Sequence, residues 1–483
     1  MSVQENPKLQ EVEVQAIDAA RLEPLIGAER MAQFEHAAEV AREALAGSSV
    51  LNVNSTAAGG GVAEMLQTLL SYARGAGIDA RWLVIEGDPD FFAITKRIHN
   101  GLYGSRGDGG ELGAAERRHY ERIGRQNAHE LLALIRPGDV VVVHDPQPAA
   151  LVAAAKSAGA RVVWRCHVGL DQPNEWSDRS WEFLRPYLAE AEAIIVSRAA
   201  FAPPWADPAQ VHVIRPSIDP FSAKNEALSM RNASLALAYV GLLDGANETP
   251  PAVSFTRRDG SPGRINRRVD LVQTGPTPAD APLVVQISRW DRMKDMAGVM
   301  RGFVQHVDPS SGAQLLLCGP AVAGVADDPE AAEVLDECTG LWRQLPHAAR
   351  SRVHLACIPM ADPDENAAIV NAIQRHASVV VQKSLAEGFG LTVAEAMWKR
   401  KPVVASAVGG IVDQIEDGTH GLLVNDPHDL EAFGAAVESL LRDREHAAQL
   451  AENGRLRVID EFLGDRHLEQ YGVLFEQLPR RQI

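Results

Sequence analysis

Residues Ser48–Gly87 read SSVLNVNSTAAGGGVAEMLQTLLSYARGAGIDARWLVIEG. A β-branched run closes at Asn54, the glycines Gly59, Gly60 and Gly61 follow, and an amphipathic stretch covers Val62–Gly75. A second strand-like run, RWLVIEG, ends at Gly87. Two such runs joined by a helix lie parallel, since neighbouring antiparallel strands need only a short turn. Strands this uniformly apolar also need cover on both faces of their sheet. The stretch therefore predicts a doubly wound α/β layer.

The same alternation extends along the chain. Further strand-like runs end at Asp145 (DVVVVHD), Cys166 (RVVWRC), Ser197 (AIIVS) and Arg215 (VHVIR), with another amphipathic stretch at Glu116–Leu134. The pattern breaks at Ala246–Asp280, a polar excursion rich in Pro, Gly and Arg (NETPPAVSFTRRDGSPGRINRR). It reads as a mobile surface loop leading into a linker at Gln273–Pro282. A second series follows in PLVVQIS, AQLLLC, RVHLAC, ASVVVQ, PVVAS and GLLV, and from Asp429 onward the periodicity is helical. We expect a Rossmann-like N-terminal domain over 1–275, a second over 282–460, and a C-terminal helix within 461–483 that crosses back. Ligands of such folds bind at the carboxyl ends of the strands, so the expected site is a cleft between the domains.

Composition bounds the partners. The 483 residues carry 47 basic and 64 acidic side chains, a net charge of −17 with histidine neutral. That balance excludes a general nucleic-acid binder, which needs a broad basic surface, but not a small anion held by two or three cations. A hydrophobic share of 46% excludes wholesale disorder. Cys166, Cys318, Cys338 and Cys357 form no CxxC pair and read as buried thiols of a reducing compartment. The N-terminal MSVQENPKLQEVEV lacks a basic start before an apolar core, and no apolar run approaches the ~20 residues of a membrane span. A cytoplasmic protein without a membrane partner is expected.

The residues just after strand ends carry the chemistry. Arg289 and Lys294 follow PLVVQIS, a fork and a point charge suited to a diphosphate. Glu387, Gly388, Phe389, Gly390, Leu391, Thr392 and Glu395 follow ASVVVQ. On one continuous helix Glu387 and Glu395 would stand about 80° apart. The intervening glycines instead place Glu387 in a loop and begin a helix near Leu391, whose amides favour an anion. Gly59–Gly61 resemble a phosphate cradle but lack P-loop and GxGxxG spacing, so close ligand approach and plain packing both stay open. His144, Asp145 and His167 end two strands, where each histidine is either a polar contact or a structural residue. Asp88-Pro-Asp90 and Asp362-Pro-Asp364 mimic an acidic metal motif but read as turn formers. No Walker, HExxH or GxSxG motif is present.

EGFGLTVAE, Glu387–Glu395, resembles the Glu-x7-Glu signature of the retaining GT-B glycosyltransferases of family 4, and SRWDRMKD resembles their Arg…Lys phosphate site. Further blocks narrow the likeness: VNSTAAGGGVAEML, FFAITKRIHN, HDPQPAALV, WRCH, PSIDPFSAKN, QKSLAEGFGLTVAEAMWK and GGIVDQI. Together they look like trehalose glycosyltransferring synthases, and they are similar to fungal-type trehalose phosphorylases. The resemblance implies transfer of glucose from a nucleoside-diphosphate glucose, such as UDP-glucose or ADP-glucose, to free glucose, giving α,α-trehalose reversibly and with retention. It implies that Arg289 and Lys294 hold the diphosphate, that Glu395 binds the ribose and that Glu387 binds the transferred glucose. Gly388–Gly390, with Leu391 and Thr392 at the helix start, would support sugar and phosphate. His167 would contact the sugar as part of the catalytic set, with Gly59–Gly61, His144 and Asp145 on the acceptor side. No cofactor and no protein metal site are implied, although Mg2+ riding with the donor can assist; a homodimer is left open.

His167 is followed here by Val168-Gly169-Leu170 before Asp171, where the family pattern is acidic or hydroxyl-bearing, and the basic insert around Arg257–Arg268 lies outside the matched blocks. A trehalose phosphorylase using inorganic phosphate and a non-catalytic nucleotide-sugar sensor remain the alternatives.

Overall fold

The computed structural model describes residues 9–57, 60–245, 253–322 and 330–479. The chain divides into two compact units, Met1–Ser217 with Phe462–Ile483, and Ile218–Glu461.

The first unit is built on a seven-stranded sheet, ordered β1 (Gln10–Val12), β3 (Ala80–Val84), β2 (Val50–Asn54), β4 (Val140–His144), β5 (Arg161–Cys166), β6 (Ala193–Val196), β7 (Val211–Val213). All neighbours pair in parallel except β1, which runs antiparallel along β3. Every residue of β2, β4, β5 and β6 is buried, as β-branched strands covered on both faces must be. RWLVIEG stops pairing as a strand at Val84, three residues before Gly87, and VHVIR stops at Val213. Helix Gly61–Gly75 follows β2 directly.

The second unit repeats the plan. Its sheet runs β10 (Asp270–Val272), β13 (Val353–Ile358), β12 (Gln314–Pro320), β11 (Leu283–Ile287), β14 (Val379–Gln382), β15 (Val403–Ser406), β16 (Leu422–Val424), again parallel except at the β10 edge. A small hairpin, β8 (Ser254–Thr256) with β9 (Pro262–Arg264), lies within the polar excursion.

The domain boundary expected at 275 falls instead between Ser217 and Ile218. The reason is in the bonds that residues 218–275 make. Helix Met230–Val240 packs on helix Pro363–His376, β10 pairs with β13, and Trp398 Nε1 donates to the Asn225 carbonyl at 3.0 Å. Gln273–Pro282 is therefore a connection inside one unit rather than a linker between two. The C-terminal helix, Gly464–Gln477, groups with the first unit, where it packs on helices Ala28–Ala44 and Gly61–Gly75. Arg30 fastens it through Asp465 by two contacts of 2.5 and 3.0 Å.

The described part of the basic insert is not a loose loop. Arg257 forks onto Asp362 at 3.0 and 2.7 Å, Arg258 meets Asp364 at 2.6 Å, and Arg267 meets Glu365. The three acids open helix Pro363–His376, where Asp362 is the N-cap and accepts from the Asp364 and Glu365 amides. Its carboxyl lies below the usual range, chiefly because of Arg257. Asp88 is likewise the N-cap of helix Pro89–Leu102, so both Asp-Pro-Asp motifs start helices. Among the described residues no group of three or more His, Cys, Asp or Glu could hold a metal ion.

Candidate active site

In the second unit, β11 and β14 are apolar runs that carry buried glutamines, Gln286 within β11 and Gln382 at the end of β14. Gln286 Nε2 donates to the Lys294 carbonyl at 2.6 Å, and Gln286 Oε1 accepts from the Lys383 amide at 2.9 Å. The Leu385 amide donates to the Met293 carbonyl at 2.7 Å. These bonds stitch together the turns that follow the two strands. As a result Lys294 Nζ reaches both carboxylate oxygens of Glu387 at 2.7 Å. The two side chains are only 14% and 8% exposed, and Ser384 Oγ donates a further bond to Glu387 at 3.1 Å. Buried Lys383 pairs with Asp295, the cap of helix Met296–His306, which accepts from the Gly298 amide at 3.0 Å. Arg289 lies 3.5 Å from the Asp291 carboxylate.

Glycine makes this turn possible. Helix Leu391–Trp398 begins after Gly390, whose φ is 83°, where the glycine spacing places it. Gly409, with a φ of 52°, passes so close that a Cβ there would stand 1.7 Å from the Glu387 carbonyl oxygen. The Gly410 amide donates to the Gly388 carbonyl at 3.1 Å, and Gln414 Nε2 donates to the Phe389 carbonyl at 2.5 Å. Phe389 is buried, and Thr392 Oγ1 donates to the Ile287 carbonyl at 3.4 Å. Glu395 is buried and meets Lys224 Nζ at 3.2 Å. Glu387 and Glu395 thus each answer to a lysine of their own. Lys224 and Lys383 have no sequence signature of a role; the visible hint at this site is a glutamine within or ending each apolar strand.

The first unit presents a histidine pair at the ends of β4 and β5. His144 Nδ1 and His167 Nε2 are 3.2 Å apart, the rings lie 9° from parallel, and His144 Nε2 is 3.0 Å from Asn52 Oδ1. Asp145 holds a φ of 65° and accepts from the His167 amide at 2.7 Å, a strained residue supporting a neighbour. Gly60 is extended and faces open space, Gly61 starts the following helix, and Gly59 lies outside the described residues.

Burial, with help from the Arg165 guanidinium, drives His144 and His167 well below the ordinary histidine pKa, and His467 on the C-terminal helix follows for the same causes. Burial pushes the Asp145 carboxyl up to about 7, against the pull of the His167 amide and Arg165. Below about pH 6.5 the unfolded chain takes up three protons that these folded histidines refuse, which lowers stability. Asp145 acts oppositely, since between about pH 4 and 7 its folded form holds a proton that its unfolded form lacks. Three against one leaves the histidines dominant, so stability falls as the pH drops below about 6.5. Calorimetry at stepped pH should show the first unit melting progressively lower below pH 6.5, with a shallower slope in His467→Gln. A flat midpoint down to pH 5 would refute this assignment.

Two family descriptions match the chain: "Trehalose synthase, N-terminal domain" over residues 52–203, and "Glycosyl transferases group 1" over 272–457. The trehalose synthase of Rubrobacter xylanophilus is 34% identical over 90% of this chain and 91% of its own length. The chain belongs to the trehalose synthase family. It is a glycosyltransferase, and the histidine pair falls within the first matched segment while Arg289, Lys294, Glu387 and Glu395 fall within the second. A trehalose phosphorylase of Pleurotus pulmonarius is a more distant relative of the family, 24% identical over 84% of this chain and 54% of its own length. Among solved structures, the UDP-forming α,α-trehalose-phosphate synthase of Burkholderia xenovorans, in complex with glucose-6-phosphate, superposes with a TM-score of 0.63. It shares 13% identity and covers 89% of this chain and 100% of its own. That likeness extends to the GT-B fold, with its two Rossmann-like units.

Proposed function

We propose that this enzyme moves glucose from a nucleoside-diphosphate glucose to free glucose, forming α,α-trehalose reversibly and with retention, as a family 4 transferase of the cytoplasm. The observation that carries the reading is the Lys294–Glu387 pair held on the glycine-pressed turn between β14 and helix Leu391–Trp398. On donor arrival Lys294 is shared between Glu387 and the diphosphate, with Arg289 as the second cation and the helix start as a dipolar one. Glu387 then orients the transferred glucose, Glu395 accepts the ribose hydroxyls, and His167 supports the sugar.

The bond from glucose C1 to the phosphate oxygen breaks while a bond from C1 to the acceptor oxygen forms on the same face. The acceptor proton passes to the departing diphosphate, so no carboxylate nucleophile is required, unlike a retaining glycosidase. Orientation and charge stabilisation of the leaving group supply the acceleration, and the reading calls for no cofactor.

The test is product analysis by NMR with UDP-, ADP- and GDP-glucose and labelled free glucose. α,α-Trehalose with release of the nucleoside diphosphate is expected. Glucose 1-phosphate formed from trehalose and inorganic phosphate alone would instead make the enzyme a phosphorylase. Tight donor binding without turnover on any sugar acceptor would make it a sensor.

A further inference from the structure

Arg165 is the last but one residue of β5, two before His167, and is completely buried. Among the described residues no carboxylate lies within ion-pairing reach of it. Its partners are neutral: Nη1 donates to His467 Nε2 at 3.0 Å and to Tyr471 Oη at 2.7 Å, and Nη2 donates to the Ile214 carbonyl at 3.3 Å. Its Nε has no partner. Of the carboxylates on the C-terminal helix, Asp465 pairs with Arg30 and Glu469 with Arg466.

Guanidinium only donates, so His467 Nε2 must carry a lone pair, its proton sits on Nδ1, and Ser217 Oγ accepts that proton at 2.9 Å. The Arg165 carbonyl accepts from the Asp145 amide at 2.7 Å, and the residue stands opposite His144 in the sheet. One residue thus joins the strand ends bearing His144, Asp145 and His167 to the C-terminal helix. A buried charge without a counter-charge costs stability that an apolar residue of like volume would not, which points to a use other than packing.

We propose that Arg165 is a positioning residue for glucosyl transfer, fixing the turn that carries His167 against His467 and Tyr471 and keeping a permanent positive charge behind the histidine pair. The titratable groups around it are His144 and Asp145 at the end of β4, Cys166 and His167 at the end of β5, and His467 and Tyr471 on the C-terminal helix. β6 contributes Ile195 at the paired register and helix Gly61–Gly75 contributes Met65, neither titratable. Burial first, and the cation second, keep the histidines from accepting protons except at low pH. Without the cation their protonation moves toward neutrality by the cation's share, which disturbs their hydrogen-bond pattern.

The inference rests on the reading that His167 contacts the transferred sugar, so His167→Ala serves as the gauge. Arg165→Met, Arg165→Lys and Tyr471→Phe are compared with it in the full-length chain by kcat and KM over about pH 5.5–8.5. Arg165→Met should lose about ten- to a hundredfold in kcat with the donor KM little changed. The acid limb of its profile should move up by about one pH unit. Arg165→Lys should keep the acid limb in place but not the full rate, and Tyr471→Phe should lose about fivefold. A folded Arg165→Met with wild-type kcat and an unmoved acid limb overturns the inference. Should that variant fail to fold, wild-type rates in both Arg165→Lys and Tyr471→Phe overturn it. Normal turnover by His167→Ala would instead remove the sugar-contact reading itself, whatever the Arg165 variants do.

Discussion

Lys294→Ala is expected to lower kcat/KM for glucosyl transfer by about a thousandfold or more. The lysine is 14% exposed, and its turn is held by Gln286 Nε2 donating to the Lys294 carbonyl and by the Leu385 amide donating to the neighbouring Met293 carbonyl. A cation so preorganised need not be rearranged as the diphosphate departs, which is when its charge counts most. The same substitution leaves Glu387, among the described residues, with Ser384 Oγ and Gln382 Nε2 as its side-chain donors, the latter at 3.4 Å. Stranding a mostly buried carboxylate costs about 3 kcal/mol, so the variant should also melt early. Lys294→Met/Glu387→Gln separates the two effects, since it should recover the melting temperature and not the activity. Turnover of Lys294→Ala within tenfold of wild type would end the donor-site assignment.

Gly409→Ala should be nearly as damaging without touching a charged group. Its Cβ would lie 1.7 Å from the Glu387 carbonyl oxygen at a φ of 52°, so the turn carrying Glu387 must shift. About a hundredfold loss of activity and about 3 kcal/mol of stability are expected, the first because small displacements of a positioned group are costly and the second from strain plus overlap. Gly418 supplies the control: its φ is 72° with nothing within 4 Å of a built Cβ. Gly418→Ala should cost about 1 kcal/mol from backbone conformation alone and leave turnover intact. Equal activity in the two variants would show that the close approach at Gly409 has no bearing on the site.

The central strands were legible because VVVV and VVVQ runs fit nothing but a buried parallel position. The start of helix Leu391–Trp398 was legible because glycine at 388 and 390 interrupts an otherwise helical pattern. Edge strands Gln10–Val12 and Asp270–Val272 were not, being three residues long and mostly exposed or half-buried. The boundary near 217 was hidden because proline and glycine mark where backbone meets solvent, not where one core ends. Residues 218–275 join the second unit through backbone carbonyls of Asn225 and Glu226 bonded by Arg375, contacts with no signature in either stretch. Arg257, Arg258 and Arg267 looked like a solvated charge run because their acids stand about a hundred residues onward. Lys224, Lys383 and Arg165 escaped for that same reason, since what they do depends on partners that only folding brings near.

The first unit is made from both ends of the chain, with Ile218–Glu461 inserted between them. As the polypeptide leaves the ribosome, the strands β1 to β7 emerge before the inserted unit, yet Leu474, Phe475 and Leu478, which fill the core beside Leu45, Val50 and Val140, emerge only after it. The inserted unit, being continuous, holds all of its own sequence by then and can close before the C-terminal helix is made. The first unit must wait for more than two hundred codons with the strip of its sheet beneath the C-terminal helix uncovered. Newly made chains are therefore most exposed to proteases and to chaperone capture at that uncovered strip, and stop codons placed just before residue 464 should yield a folded insert carried on an unfinished first unit.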